Sequence, residues 1–337
     1  MRIFINGFGR IGRSVLRAWA MGQGQFSDIE IVGINDIASA DICAYLFEYD
    51  SVFGPFSGTV ALHSGGDRDG AAKSLIVNGR AIALHQCADL SVLDLRGVDV
   101  VLECTGRAGL AEVAGRGLRG GARRVLISGP SDAAEVTIVM GANDADLQDQ
   151  TIVSNGSCTT NALAPLARLL DQHWGIVAGT MTTIHCYTGS QPTVDMPAAD
   201  FARSRAAGLS MVPTTTSAQR LLDQVLPQLA GRISGSAVRV PTASVSAVDL
   251  AVLLAREVQV HSVNDLLQSA GGVIGWTNRA LVSTDLRARP ESIIMALPET
   301  RLVQTPAGPL VRVFGWYDNE WGFSNRMLDV ARRMARR

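Results

Sequence analysis

Two stretches of the sequence hold residue types able to do chemistry. In Ser154-Asn155-Gly156-Ser157-Cys158-Thr159-Thr160-Asn161 a cysteine sits in a polar run, directly before a helix-like segment with Leu163, Leu166, Ala167 and Leu170 on one face. A cysteine at a helix N-terminus faces unpaired backbone N–H groups, which favour the thiolate and can also hold an oxyanion. Cys158 is thus a candidate nucleophile, although a cysteine with no other context is more often a packing residue. Pro165 lies inside the helical run and is expected to kink it. Further along, His185 closes the apolar strand of residues 180–184 and opens a loop rich in Thr and Ser. A histidine there either acts as a base toward a thiol or substrate hydroxyl or is merely a satisfied strand-end residue, and spacing alone does not bring it to Cys158.

The second stretch is Gly7-Phe8-Gly9-Arg10-Ile11-Gly12, a GxGxxG run directly after the strand of residues 3–5 and directly before a helical pattern. Gly7 makes the tight turn, Gly9 lets a pyrophosphate approach the backbone, and Gly12 lets helix pack on strand, with the helix N-terminus toward the anion. The next strand ends in Asn35-Asp36, close to the spacing of about 20 residues expected of a carboxylate that binds a ribose diol. An acid there repels a 2′-phosphate, and Ile37 and Ala38 place no arginine beside it, so NAD is expected over NADP.

Elements able to position these residues follow from periodicity. Short apolar runs at residues 3–5, 29–34, 98–103, 124–127 and 137–140 alternate with amphipathic stretches at 11–19 and 110–118, the pattern of βαβ units and a parallel sheet. A Gly/Asp-rich turn falls at residues 65–70. Past residue 150 come polar/apolar alternations at 180–184, 237–240 and 247–254, which predict a half-covered, more antiparallel sheet. Residues 325–334 carry Met327, Leu328, Val330, Ala331 and Met334 at helical spacing, with basic residues where they suit the helix dipole.

With 337 residues, the chain is long enough for about two domains. Hydrophobic residues make up 47% and net charge is −1, which excludes disorder and leaves no global field for nucleic acid or an anionic membrane. Any anion site must be local. Glycines break the N-terminal apolar run before it can serve as a signal peptide, and no window approaches the ~20 apolar residues of a membrane span. A cytoplasmic, soluble protein is expected. Cys43, Cys87, Cys104, Cys158 and Cys186 show neither a CxxC pair nor metal-ligand spacing, so reduced thiols and no metal are expected.

Five motifs, spread in order along nearly the whole chain, resemble the phosphorylating glyceraldehyde-3-phosphate dehydrogenase family. They are residues 5–13, the Ser-Cys-Thr-Thr-Asn run at 157–161, Thr183-Ile184-His185, Arg239-Val240-Pro241-Thr242 and Trp316-Tyr317-Asp318-Asn319-Glu320-Trp321-Gly322. The resemblance implies an α/β chain: a Rossmann-type doubly wound NAD-binding domain at 1–153, joined again by a C-terminal helix at 325–337, and an α+β catalytic and oligomerisation domain at 154–324 with a mixed, largely antiparallel sheet. It implies NAD-dependent oxidative phosphorylation of glyceraldehyde 3-phosphate to 1,3-bisphosphoglycerate, in glycolysis or gluconeogenesis, through a hemithioacetal and a thioester on Cys158 with His185 as base. Gly7, Gly9, Arg10, Ile11, Gly12, Asp36 and Ser128 would bind NAD, with Asn319 holding the nicotinamide amide. Thr188, Arg203 and Arg239 would bind the substrate's phosphate, and Ser157, Thr159 and Thr216 the attacking inorganic phosphate. A homotetramer is implied, its loop from about residue 188 to 210 lying near a neighbour's cofactor site.

Several positions depart from the family pattern. Gly156 replaces the usual Ala, Ala162 the second cysteine of the CTTNC run, and Ser217 a glycine beside the expected phosphate site. Arg107-Ala108-Gly109 stands where an aromatic residue near the adenine is usual, and Phe53-Gly54-Pro55-Phe56 replaces His-Gly-Arg-Phe. Phe323, in place of tyrosine, also occurs in the related erythrose-4-phosphate dehydrogenases, whereas Thr188 argues against them. That activity and an inactive NAD-binding paralogue are the two alternatives.

Overall fold

Strand β1 (Arg2–Asn6) is buried at every residue after Arg2 and turns at Gly7 into helix α1 (Arg10–Met21). Two glycines make this turn possible. Gly7 has φ +91°, a conformation that costs an L side chain dearly. A Cβ on Gly12 would sit 2.1 Å from the Gly7 carbonyl oxygen, so the helix reaches the strand only because Gly12 has none. The computed structural model describes residues 1–22, 24–63 and 73–336, and the turn expected at 65–70 lies outside them. The chain divides into two compact units, one of Met1–Ile138, Asp144–Gly156 and Ser324–Arg337, the other of Val139–Asn143 and Ser157–Phe323.

In the first unit β2 (Glu30–Asn35), α2 (Ala40–Glu48), β3 (Val60–His63), β4 (Ser74–Val77) and β5 (Arg80–His85) follow α1. Then come β6 (Val100–Glu103), α3 (Ala111–Ala114), α4 (Arg116–Arg119), β7 (Arg124–Ile127), β8 (Val136–Thr137) and β9 (Ile152–Ser154). The sheet order is β3-β4-β5-β2-β1-β6-β7-β9-β8. All pairs are parallel except β3–β4 and β4–β5. The strand order reverses at β1, which lies between β2 and β6, and such a switch point leaves a crevice at the carboxyl ends of the strands. The single helix expected at 110–118 is instead two short ones separated at Gly115, and the strand expected at 137–140 is Val136–Thr137 alone.

The second unit opens with α5 (Cys158–Trp174), which remains helical on both sides of Pro165. It continues with β10 (Ile176–Cys186), β11 (Val212–Thr214), α6 (Ala218–Val225), β12 (Ile233–Val240), β13 (Ser246–Leu254), α7 (Val260–Ser269), β14 (Ile274–Thr277), β15 (Ile293–Ala296), β16 (Arg301–Thr305) and β17 (Gly308–Tyr317). The sheet runs β11-β12-β10-β13-β17-β15-β14, with β16 also on β17. Only β10–β12 and β14–β15 are parallel, so the sheet is mixed and largely antiparallel. Leu163, Leu166 and Leu170 of α5 share one buried core with Met181 of β10, Val248, Leu250 and Val252 of β13, and Val311 and Val313 of β17. The last helix, α8 (Trp321–Ala335), belongs to the first unit from Ser324 onward. There Arg332 donates to Asp28 at 2.6 Å and its guanidinium lies over the Phe26 ring.

The glycine turn makes the first prediction. A Gly12→Ala substitution forces α1 away from β1 and is expected to cost about 1–3 kcal/mol of stability and to weaken NAD binding, as read by denaturant midpoint and NAD titration.

Candidate active site

The carboxyl ends of β1, β2 and β6 line a cavity of about 250 Å³ whose walls include Asn6, Gly7, Gly9, Asp36, Thr105 and Arg107. Its floor is a buried polar network. Glu103 accepts from the Asn6 amide at 2.5 Å and from the Thr105 backbone and hydroxyl, while Asn35 donates to the Asn6 side chain at 2.8 Å and to the Cys87 carbonyl at 2.9 Å. Three parallel strand ends are thereby tied together by side chains. Sequence reading missed this network, although polar Asn6, Asn35 and Glu103 closing three apolar strands were its visible trace.

Asp36 follows β2, and its carboxylate accepts from the Phe8 backbone at 2.6 Å and the Ala38 backbone at 2.9 Å. The glycine turn and the acid are thus directly bonded, and each carboxylate oxygen keeps a lone pair for a further donor. Arg10 pairs with Asp50 and lies over the Phe53 ring, which gives Phe53 in the departing Phe-Gly-Pro-Phe run a structural purpose. The glycine turn leads into the N-terminus of α1, the kind of helix end at which first-turn backbone N–H groups bind an anion. A Cβ at Gly9 would meet nothing within 4 Å, which leaves the open space a pyrophosphate needs. These residues fit a bound NAD. Ser128 follows β7 and donates its backbone N–H to the Glu103 carbonyl. Among the described residues no aromatic side chain lines the cavity; Arg107 does.

In the second unit Cys158 is the first residue of α5, and Ser157 caps that helix by accepting from the Thr160 backbone at 3.0 Å. Cys158 Sγ lies 3.5 Å from His185 Nε2, across a separation of 27 residues. His185 Nδ1 is 2.6 Å from the Cys186 carbonyl oxygen. A carbonyl only accepts, so Nδ1 carries the hydrogen and the Nε2 lone pair faces the thiol. Burial pushes the Cys158 thiol up to about 11, outweighing the Thr159 and helix N-terminal donors that pull it down. The helix N-terminus expected to favour the thiolate is present, but desolvation is the stronger effect.

Tyr317 closes the constellation from below. Its buried hydroxyl bridges Thr159 Oγ1 at 2.8 Å and Thr183 Oγ1 at 2.7 Å, and its ring packs edge-on to His185 at 6.1 Å. One phenol thus joins α5, β10 and β17. Its role was not legible beforehand, because the sequence carries it only as one letter of the Trp-Tyr-Asp-Asn-Glu run.

The parallel pairing of β10 with β12 sets Arg239 beside His185. Arg239 is half-buried and donates to Ser190 Oγ at 3.0 Å and Gln191 Oε1 at 3.1 Å, and Thr188 Oγ1 is 3.0 Å from the same Ser190 hydroxyl. Burial and the neighbouring positive charge of Arg203 both press the Arg239 guanidinium downward from its ordinary value. Two guanidiniums that repel each other make a site for an anion. Arg203 itself donates to Thr214 and Thr215.

The three hydroxyls expected on inorganic phosphate are engaged separately: Ser157 with Thr160, Thr159 with Tyr317, and Thr216 with the Ala218 backbone at the start of α6. Ser217 makes no cap of its own. Gly156 has φ +64°, which accounts for glycine at this departure, and Ala162 is fully buried in the core. All five cysteines are free. Among the described residues, no cluster of three or more His, Cys, Asp or Glu side chains is arranged to hold a metal, and no helix is long and apolar enough to cross a membrane.

Residues 1–109 match the NAD binding domain of glyceraldehyde 3-phosphate dehydrogenase, and residues 157–319 match its C-terminal domain. The fold and these matches define an NAD-dependent oxidoreductase. The chain is 45% identical over 342 residues to the glyceraldehyde-3-phosphate dehydrogenase of Cereibacter sphaeroides, covering 100% of this chain and 99% of that protein. It is 46% identical over 341 residues to the enzyme so named in Pseudomonas aeruginosa, and 40% identical over 344 residues to that of Geobacillus stearothermophilus, each time covering 99% of this chain and 98% of the relative. The chain belongs to the glyceraldehyde-3-phosphate dehydrogenase family.

A thiol raised to about 11 is almost wholly protonated at pH 7, so its reactivity depends on His185. In a His185→Asn variant, alkylation of Cys158 by iodoacetamide at pH 7 is expected to slow about 100-fold and to recover only as pH approaches 11. Equal rates at pH 7 in both proteins would overturn the pairing.

Proposed function

We propose that this protein oxidises glyceraldehyde 3-phosphate with NAD and inorganic phosphate to 1,3-bisphosphoglycerate, with Cys158 as nucleophile. The observation that carries the reading is the thiol of Cys158 at the first turn of α5, 3.5 Å from an unprotonated imidazole nitrogen. Cys158 gives its proton to His185 Nε2 and bonds to the aldehyde carbon; the aldehyde oxygen takes that proton back, and the result is a hemithioacetal. His185 then withdraws the hydroxyl proton while the carbon loses a hydride, which leaves a thioester on Cys158. Bound NAD supplies the hydride acceptor. A phosphate oxygen attacks the thioester carbonyl, the C–S bond breaks, and the sulfur recovers a proton. The first-turn N–H groups of α5 steady the oxyanion.

Arg239, Arg203 and Thr188 hold the substrate's own phosphate, a role supported by the paired cations beside His185. Ser157, Thr159 and Thr216 receive the attacking phosphate, which requires their hydroxyls to share or exchange present partners. Gly7, Gly9, Arg10, Ile11, Gly12, Asp36 and Ser128 hold NAD in the domain of residues 1–153, which the C-terminal helix joins. Asn319, in the catalytic domain of residues 154–324, takes the nicotinamide amide. Phe201 is 93% exposed and Leu209 86%; with Val194, Met196 and Met211 they leave an apolar surface that a homotetramer would cover. The site of action is the cytoplasm.

Mixing the protein with NAD and glyceraldehyde 3-phosphate in the absence of phosphate is expected to give a burst of NADH near one per chain, with steady turnover restored by phosphate. No burst with any phosphorylated aldehyde, despite NAD binding, would mark an inactive paralogue, and a higher kcat/KM for erythrose 4-phosphate would reassign the substrate. Arg239→Ala is expected to lower kcat/KM about 10- to 100-fold by removing a charged hydrogen bond.

A further inference from the structure

Asn319 follows β17 in a turn pinned by Asp318, whose buried carboxylate accepts from the backbones of Ala288, Glu320 and Trp321 at 2.8 to 3.0 Å. Asn319 is itself only 8% exposed. Its Oδ1 lies 3.1 Å from the Cys186 thiol and 3.4 Å from the Ser246 hydroxyl. Ser246 Oγ already accepts the Cys186 backbone N–H at 3.1 Å, so its own hydrogen is left to donate, and a thiol is a donor as well. Two donors therefore converge on one oxygen. Turning the amide over would set both hydrogens against an –NH₂ group, so the pair decides which end of Asn319 faces inward. The opposite end, Nδ2, donates to no group among the described residues.

We infer that Cys186 and Ser246 are positioning residues of the redox reaction. Together they lock the Asn319 amide with its –NH₂ outward, so that it donates to the carboxamide oxygen of the nicotinamide and fixes which face of the ring is presented. The inference rests on the proposed role of Asn319. It also gives Cys186 a function in a chain whose nucleophile is another cysteine. Residue 186 then serves twice: its carbonyl sets the tautomer of His185, and its thiol sets the orientation of Asn319. An asparagine free to flip would offer its oxygen to the carboxamide oxygen half the time, so losing the lock weakens binding of the nicotinamide half of NAD and spares the adenosine half.

The test compares dissociation constants for NAD and for ADP-ribose, which lacks the nicotinamide, by calorimetric titration of the full chain. A Cys186→Val, Ser246→Ala double variant is expected to bind NAD about twofold more weakly, with ADP-ribose unchanged, and its transfer of deuteride from a deuterium-labelled aldehyde to the nicotinamide ring loses face selectivity. Cys186→Ser, which keeps a donor, is expected to retain wild-type values. Asn319→Ala serves as the reference. If it weakens NAD alone while the double variant binds NAD as the wild type does, the inference falls and the role of Asn319 stands. If Asn319→Ala leaves NAD and ADP-ribose equally bound as before, both fall. Equal weakening of NAD and ADP-ribose in the double variant would show general damage to the fold and also overturn the inference.

Discussion

A half-buried, desolvated thiol does not ionise unaided, and the second unit of this molecule is arranged around that constraint. Desolvation at the start of α5 raises the Cys158 thiol further than its helix N-terminal donors lower it. A proton acceptor must therefore stand within reach, in the right tautomer, and stay there. The Cys186 carbonyl supplies the tautomer, the Tyr317 ring supports the imidazole, and the Tyr317 hydroxyl ties both α5 and β10 to β17. Leaving any of these buried hydroxyls unpartnered would cost about 1–3 kcal/mol, so the geometry is held by groups that have no cheap alternative.

The dinucleotide end obeys a different constraint, steric rather than electrostatic. Gly7 and Gly12 exist as glycines because a methyl group at either would collide with backbone. Their consequence is that α1 begins against β1 and Asp36 reaches back to the Phe8 backbone. Beneath them the Asn35–Asn6–Glu103 network keeps three strand ends in register without relying on apolar packing, which a ligand-lined crevice does not provide.

How much of this was legible in the sequence differs by element. The strands around residues 3–5, 29–34 and 124–127, the GxGxxG turn, and the thiol and imidazole could be read, since apolar runs and glycine spacing are local signals. Helix α2 was missed because Ile42, Tyr45 and Leu46 lie on its exposed side, which erases the contrast that periodicity needs. Strands β3, β4 and β5 are short and pair mainly with each other, so their pattern is too brief to stand out. The helix at 110–118 was read as one because a single glycine at 115 does not betray a break. At the site, Cys158 and His185 announced themselves by type, whereas Tyr317, Glu103 and Cys186 act chiefly through contacts 60 to 158 residues away in sequence, for which no local pattern exists.

The pairing of β10 with β12 is parallel, and a parallel neighbour is reached only by a long connection. That connection, from the end of β10 to the start of β12, carries Thr188, Arg203 and Thr216. His185 and Arg239 are fixed to each other by strand register, but Thr188, Arg203 and Thr216, proposed above to bind substrate and phosphate, ride on a detour whose length and composition can drift without shifting that register. Within such an architecture new substrate preferences are cheap to explore and new chemistry is not. The departure at Ser217 falls on this permissive part of the chain.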